Sequence, residues 1–268
     1  MPCAGAMRMI RTSRWPDGSE SGRTPTVGKR ERQLRAFALL DNLDWEPAAI
    51  LFRTHRATTA TEYLAFLAGP DALAWSLFIR RVPLNARLAR YALVLRGIDN
   101  DGELNRIGLL GLSDIERRDT LARLDGPVYR TKGTCRAILL RLDEALADGT
   151  ASYDVPKIEI EHVLAQNPKT GGAWLTAFPD EVVREQWTDR LANLVLLRGY
   201  KNKSAANHGF ERKKSSYFFK AGRSPFVLTN EVADEAIWST DVLQRRQARL
   251  LGALAELWGW DEPSRSGR

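Results

Sequence analysis

Residues 158–167 read IEIEHVLAQN, and the reading of this stretch decides the fold. Ile158 and Ile160 alternate with Glu159 and Glu161, the period of a half-buried strand. His162, one of three histidines in 268 residues, stands where that strand should end. It lies beside a carboxylate and ahead of a turn-like NPKTGG at 167–172.

Downstream, PDEVVREQWTDRL (179–191) reads as a helix with proline at its start, and LANLVLLR (191–198) as a short apolar strand. A helix is expected from about Asn202 to Lys220. Two more follow in TNEVADEAIW (229–238) and STDVLQRRQARLLGALAELWGW (239–260), with Thr229 and Ser239 or Thr240 as N-caps. Upstream, residues 32–148 carry apolar side chains at three-to-four spacing, punctuated by Pro70, Pro83, Gly97, Gly102 and Gly126. The expected fold is mainly α with a small embedded strand–strand–helix unit, an α+β arrangement.

Composition narrows the chemistry. A hydrophobic fraction of 44% supports a real core, and no apolar run reaches membrane-spanning length. Residues 1–30 mix Arg, Gly, Pro and Ser without the apolar core of a signal peptide, and are expected to form a disordered leader. Cys3 and Cys135 are the only cysteines, too few for a disulfide framework or a cysteine-held zinc site. A cytoplasmic location is expected, and any metal must be held by oxygen and imidazole.

The net charge of +7 has an address. Between residues 198 and 223 the positive residues are Arg198, Lys201, Lys203, Arg212, Lys213, Lys214, Lys220 and Arg223, against Glu211 alone. A local basic surface suits a polyanion, because each neutralised phosphate releases condensed counterions. A solvated basic helix is the alternative on charge alone. Asn193, Asn202 and Asn207 crowd the same region, although asparagine favours neither helix nor strand. Such residues pin turns and cap helices through their side chains, and an amide oxygen is also a hard, neutral ligand suited to magnesium.

Taken in order, IEHVLAQ, LANLVLL and KNKSAANHGFERKKSSY resemble the HNH, or ββα-metal, nucleases. Within them the run is most similar to the C-terminal nuclease module of GmrSD-type, modification-dependent (type IV) restriction endonucleases. That module's form is E-H-I-x-P-Q, then G-N-L-x-L-L, then N-x4-N-x2-F-x2-K. The resemblance is strongest over residues 158–217 and weaker on both flanks. It implies a DNA endonuclease in which His162 is the general base, since an ordinary histidine pKa of about 6.5 lets it accept a proton at neutral pH. It implies that Glu161 and Asn202 hold one Mg²⁺, with Mn²⁺ as an alternative, and that Asn193 holds the hairpin so that His162 points correctly. Lys201, Lys203, Lys213 and Lys214 would contact nucleic acid, while Asn207 and Phe210 would support the site. Glu161 and His162 converge on one ion only if the strand bends, because neighbouring strand residues face opposite sides.

Two positions depart from the pattern: Ala165 replaces the proline and Ala192 the glycine. The expected organisation is a leader (1–30), a helical scaffold (31–150), the HNH-like unit (151–225) and a helical C-terminal cap (226–268). Modification-sensing relatives carry a nucleotide-binding sensor, and the sequence has no G-x-x-x-x-G-K-[ST] loop. The expectation is therefore an effector working with a separately encoded sensor subunit. A catalytically silent DNA-binding remnant and an RNA-directed nuclease are the alternatives. His55 and His208 are expected at the surface or in caps, and Phe210, Tyr217 and Phe218 in the core.

Overall fold

Alternation and apolarity place residues 158–162 and 194–198 in strands, and the computed structural model pairs them as an antiparallel hairpin. The structure describes residues 25–57, 59–100, 109–147, 157–199, 207–218 and 222–260. These residues fall into two compact units, 1–120 and 121–268.

The first unit is helical: α1 (Pro25–Ala38), α2 (Glu46–His55), α3 (Ala60–Ile79), α4 (Leu84–Asp99) and most of α5 (Asp114–Leu124). Helix α3 is the buried centre, with Leu67, Leu73, Trp75 and Leu77 in the core. Its start is fixed by a capping box, in which the Thr59 hydroxyl accepts from the Glu62 N–H and the Glu62 carboxylate accepts from the Thr59 N–H. Pro70 does not break the chain into two helices as the sequence suggests; it lies inside α3. Gly69 before it has no Cβ, and a Cβ there would come within 2.7 Å of the Leu110 side chain. The missing side chain removes part of the clash that normally bars a helical residue before proline, and lets Leu110 pack against the backbone.

The second unit holds the hairpin. A 3-10 turn (Val128–Arg130) leads into α6 (Lys132–Leu146), then come β1 (Ile158–His162), α7 (Ala173–Ala177) and α8 (Glu181–Thr188). A second 3-10 turn (Leu191–Asn193) enters β2 (Leu194–Arg198). It is followed by α9 (Phe210–Lys213), which passes into a π turn (Lys214–Phe218), then α10 (Val227–Asp234) and α11 (Thr240–Trp258). The register runs from Ile158 opposite Arg198 to His162 opposite Leu194. Strand β2 is buried except at Arg198 because α6 and α10 contact it. Val195 and Leu197 share a core cluster with Phe210, Phe218, Trp174, Trp187 and Trp238. Phe210 and Phe218 are thus core residues, with Tyr217 packed against the cluster.

Three local expectations change. Helix α9 begins at Phe210 with Gly209 as its N-cap, so residues 207–209 are not helical; Asn202 lies outside the described residues. Thr229 does not cap α10; it sits inside, and its hydroxyl donates to the Leu196 carbonyl at 2.6 Å. The start of α10 is capped from a distance instead, the Asp143 carboxylate of α6 accepting from the Leu228 N–H at 2.8 Å. Ser239 does cap α11. Helix α6, expected in the scaffold, packs with α10, α11 and β2, and so belongs with the hairpin, as do the two terminal helices.

Candidate active site

Strand geometry sends neighbours Glu161 and His162 to different partners. The His162 side chain, 8% exposed, meets Tyr129 and Asp189. Its ring lies edge-on to the Tyr129 ring, with centroids 4.2 Å apart and planes at 79°. Its Nε2 is 3.2 Å from Asp189 Oδ1. The Glu161 carboxylate is also buried, and its Oε1 accepts from Lys213 Nζ at 2.7 Å.

Lys213 is the largest correction to the expected site. The spacing F-x-x-K suggested a phosphate contact, yet its side chain is 0% exposed, and its ammonium donates both to Glu161 and to the His162 carbonyl. One helical turn from Phe210 puts residue 213 on the same inward face, so the charge enters with the aromatic anchor. Burial pushes the Glu161 carboxyl up and the Lys213 ammonium down, and each is drawn back by the other's charge. Lys214 is half-buried; its ammonium donates to the Glu235 carbonyl at 2.7 Å and lies 5.5 Å from the Phe210 ring centroid. That ties it into the fold. Among the described members of the basic segment, Arg198, Arg212 and Arg223 are exposed. Lys201, Asn202 and Lys203 lie outside the described residues.

Asn193 stands at the entry to β2. Fully buried, its Oδ1 accepts from the Leu164 N–H at 2.7 Å and from Trp238 Nε1 at 3.3 Å. Its Nδ2 donates to the carbonyls of Leu164 at 3.0 Å and Thr188 at 2.9 Å. One amide therefore ties the chain just after His162 to the chain just before Asp189. Asn207 is exposed in the turn ahead of α9. His208 is half-buried and stacks on Tyr217, while the His208 carbonyl accepts from Trp174 Nε1 at 2.9 Å. His55 is exposed, as expected.

The sequence reading missed Asp189, Tyr129 and Arg130. Asp189 Oδ1 also accepts from Gln166 Nε2 at 3.3 Å, its Oδ2 faces Arg130 Nε at 3.5 Å, and its carbonyl accepts from the Tyr129 N–H at 3.1 Å. A signal was present: Asp189 follows the last turn of α8, where the helix dipole disfavours an acid. Beside it opens a cleft of about 690 Å³ lined by Arg130, Gln166, Arg184, Glu185, Thr188 and Asp189 among others.

Mg²⁺ takes oxygen ligands and keeps several waters. Among the described residues no three His, Cys, Asp or Glu side chains gather around a possible ion. The Glu161 carboxylate is a hard oxygen donor, but its Oε1 already accepts from the buried Lys213 ammonium at 2.7 Å.

The family model described as "GmrSD restriction endonucleases, C-terminal domain" matches residues 114–253, more than half of the chain. No curated protein matches it.

Proposed function

We infer the function from one premise: the chain belongs to the GmrSD restriction endonucleases, through a C-terminal domain at residues 114–253. The family is one of DNA-cutting enzymes, so the reaction assigned to this site is phosphodiester hydrolysis in foreign or modified DNA. His162 serves as general base, taking a proton from the attacking water. Glu161 and Asn202 would hold a Mg²⁺ ion, which when bound would polarise the scissile phosphate and stabilise the leaving oxygen. Mn²⁺ can replace it, since it binds such sites at least as readily. Asn193 keeps the hairpin in the geometry that aims His162. In the cell the chain acts as an effector alongside a nucleotide-binding sensor subunit.

The observation that supports this most is the setting of His162: a buried ring at the end of β1, wedged between Tyr129 and Asp189. One observation favours a second reading, a DNA-binding remnant without activity: Lys213 already neutralises Glu161.

Supercoiled plasmid, plain and base-modified, separates the two when incubated with the full chain in Mg²⁺ or in EDTA. The nuclease reading expects nicking that needs the metal and is lost in His162→Ala. Retarded but intact plasmid under every condition would leave the remnant.

A further inference from the structure

We propose that the far end of the hairpin carries a second DNA subsite, a pocket that takes one unpaired base while Arg198 and Arg223 hold the phosphates beside it. This rests on the reading of the chain as an enzyme that acts on DNA. The pocket has a volume of about 220 Å³, and Leu197, Arg198, Tyr217, Phe218, Arg223 and Ser224 are among its lining residues. Drug-sized ligands occupy pockets of roughly 300–1,000 Å³, so this one suits a single ring system rather than a whole nucleotide. Arg198 pairs with Ile158, whereas Leu194 pairs with His162. The pocket's arginine thus stands about 13 Å along β2 from the strand end that carries His162.

Its lining divides by chemistry. Leu197 and Phe218 are buried and apolar, 2% and 3% exposed. Tyr217 is half-buried and supplies an aromatic ring, stacked with His208 at a centroid distance of 6.0 Å. Arg198 and Arg223 are exposed. Arg223 Nη2 lies 3.8 Å from Asp234 Oδ1, with both side chains more than half exposed. Surface pairs of this kind are weak, so a phosphate oxygen can take the place of that carboxylate. An aromatic ring beside guanidinium groups is the combination that binds single-stranded nucleic acid, because every base has a π-face and every linkage a charge. A base within a duplex keeps its stacking neighbours, so the base that enters here must be unpaired or extruded.

The backbone is shaped to present the tyrosine. Phe210 and Lys213 are both buried, and continued α-helical spacing would carry Tyr217 inward with them. The chain passes instead into the π turn Lys214–Phe218, whose wider winding gives the inward place to Phe218 and leaves Tyr217 at the pocket. Such turns recur at functional sites. On the other side of the pocket Gly222 adopts φ +83°, a left-handed conformation that glycine takes at no steric cost. Ser224, two residues on, is pinned by Asn230: its N–H donates to Asn230 Oδ1 at 2.8 Å and its carbonyl accepts from Asn230 Nδ2 at 2.9 Å. The wall next to Arg223 is therefore fixed by the fold.

Fluorescence anisotropy of the full chain in EDTA, where no metal supports cutting, tests the subsite with a labelled duplex and the same duplex carrying a short unpaired stretch. A base stacked on an aromatic side chain adds about fivefold to a hundredfold in affinity. The gapped pairing should therefore bind at least about fivefold tighter than the full duplex. In Tyr217→Leu, which keeps an apolar side chain against the core, that ratio should fall to near one, and Tyr217→Phe should restore it. Equal affinity for the two DNAs in wild type overturns the proposal, as does an unchanged ratio in Tyr217→Leu. Equal affinity together with saturable binding of a deoxynucleoside monophosphate would assign the pocket to a free nucleotide instead. If Tyr217→Leu fails to fold, photocrosslinking of wild type to iodouracil in the unpaired stretch decides: attachment at Tyr217 is expected, and attachment confined to other residues overturns the subsite. Failure of the underlying reading looks different, since neither DNA would then bind at all.

Discussion

Lys213 and Glu161 bring opposite charges into a place with almost no solvent, 0% and 4% exposed at their side chains. Such a pair gains little over an apolar pair of the same shape, but breaking it strands a charge, at a cost of about 3–5 kcal/mol. Lys213→Met should therefore lower unfolding free energy in urea by that amount, and Glu161→Leu added to it should recover most of the loss. A single mutant within about 1 kcal/mol of wild type would mean that the pair is solvated. The motif spacing made Lys213 visible, but spacing reports which residues share a helix face, not whether that face meets DNA or core. Asp189 was hidden for the converse reason: in TDRL it reads as a surface charge beside Arg190, and its partners His162 and Gln166 are more than twenty residues away. Cys135 supplies a second residue-level test. Burial, with the Asp189 charge adding to it, pushes its thiol up from 9.0 to about 12. The folded-state pKa is raised, so this contribution to stability is intact below the unfolded value and is lost as pH climbs from 9 toward 12. In that window unfolding free energy should fall by about 1.4 kcal/mol per pH unit more in wild type than in Cys135→Ala. Equal alkaline slopes would contradict the burial.

At the scale of elements, the hairpin depends on one side chain. Asn193→Ala leaves Leu164 N–H, Trp238 Nε1, Leu164 C=O and Thr188 C=O without the partner they share. Buried unsatisfied groups cost about 1–3 kcal/mol each, so the variant should lose at least about 3 kcal/mol in urea unfolding. Nicking should fall with it, because both ends of the His162–Asp189 contact are released. A loss below about 1 kcal/mol would show that water replaces the amide. This hairpin was legible because its local signals agree: IEIEH alternates, LVLL is apolar, and asparagine stands at the junction. Tertiary contacts explain the misreadings. Gly69, ahead of Pro70 in α3, leaves room for Leu110, about forty residues on, and α10 takes its cap from Asp143, 85 residues away. Neither partner can be seen from a window of local sequence.

For the whole molecule, the question is which charges face the polyanion. The net charge of +7 equals that of segment 198–223, but the structure removes Lys213 from its surface and ties Lys214 to a carbonyl. Arg198, Arg212 and Arg223 stay exposed, Arg198 at the end of β2 furthest from the strand end that carries His162. The hairpin register separates residues 198 and 194 by four steps, about 13 Å at the usual strand rise. Each phosphate contact adds about 0.9 to the slope of log affinity against log salt. Replacing Arg198, Arg212 and Arg223 together by glutamine should flatten that slope by as much as about 3 and weaken binding to every DNA sequence alike. Lys213→Met should leave the slope unchanged wherever the variant stays folded, since a fully buried ammonium releases no counterion. Fluorescence anisotropy with a labelled duplex, titrated at several salt concentrations, measures both. A slope that falls in Lys213→Met and holds in the triple variant would place the DNA against the inner face of α9 and overturn this assignment of the binding surface.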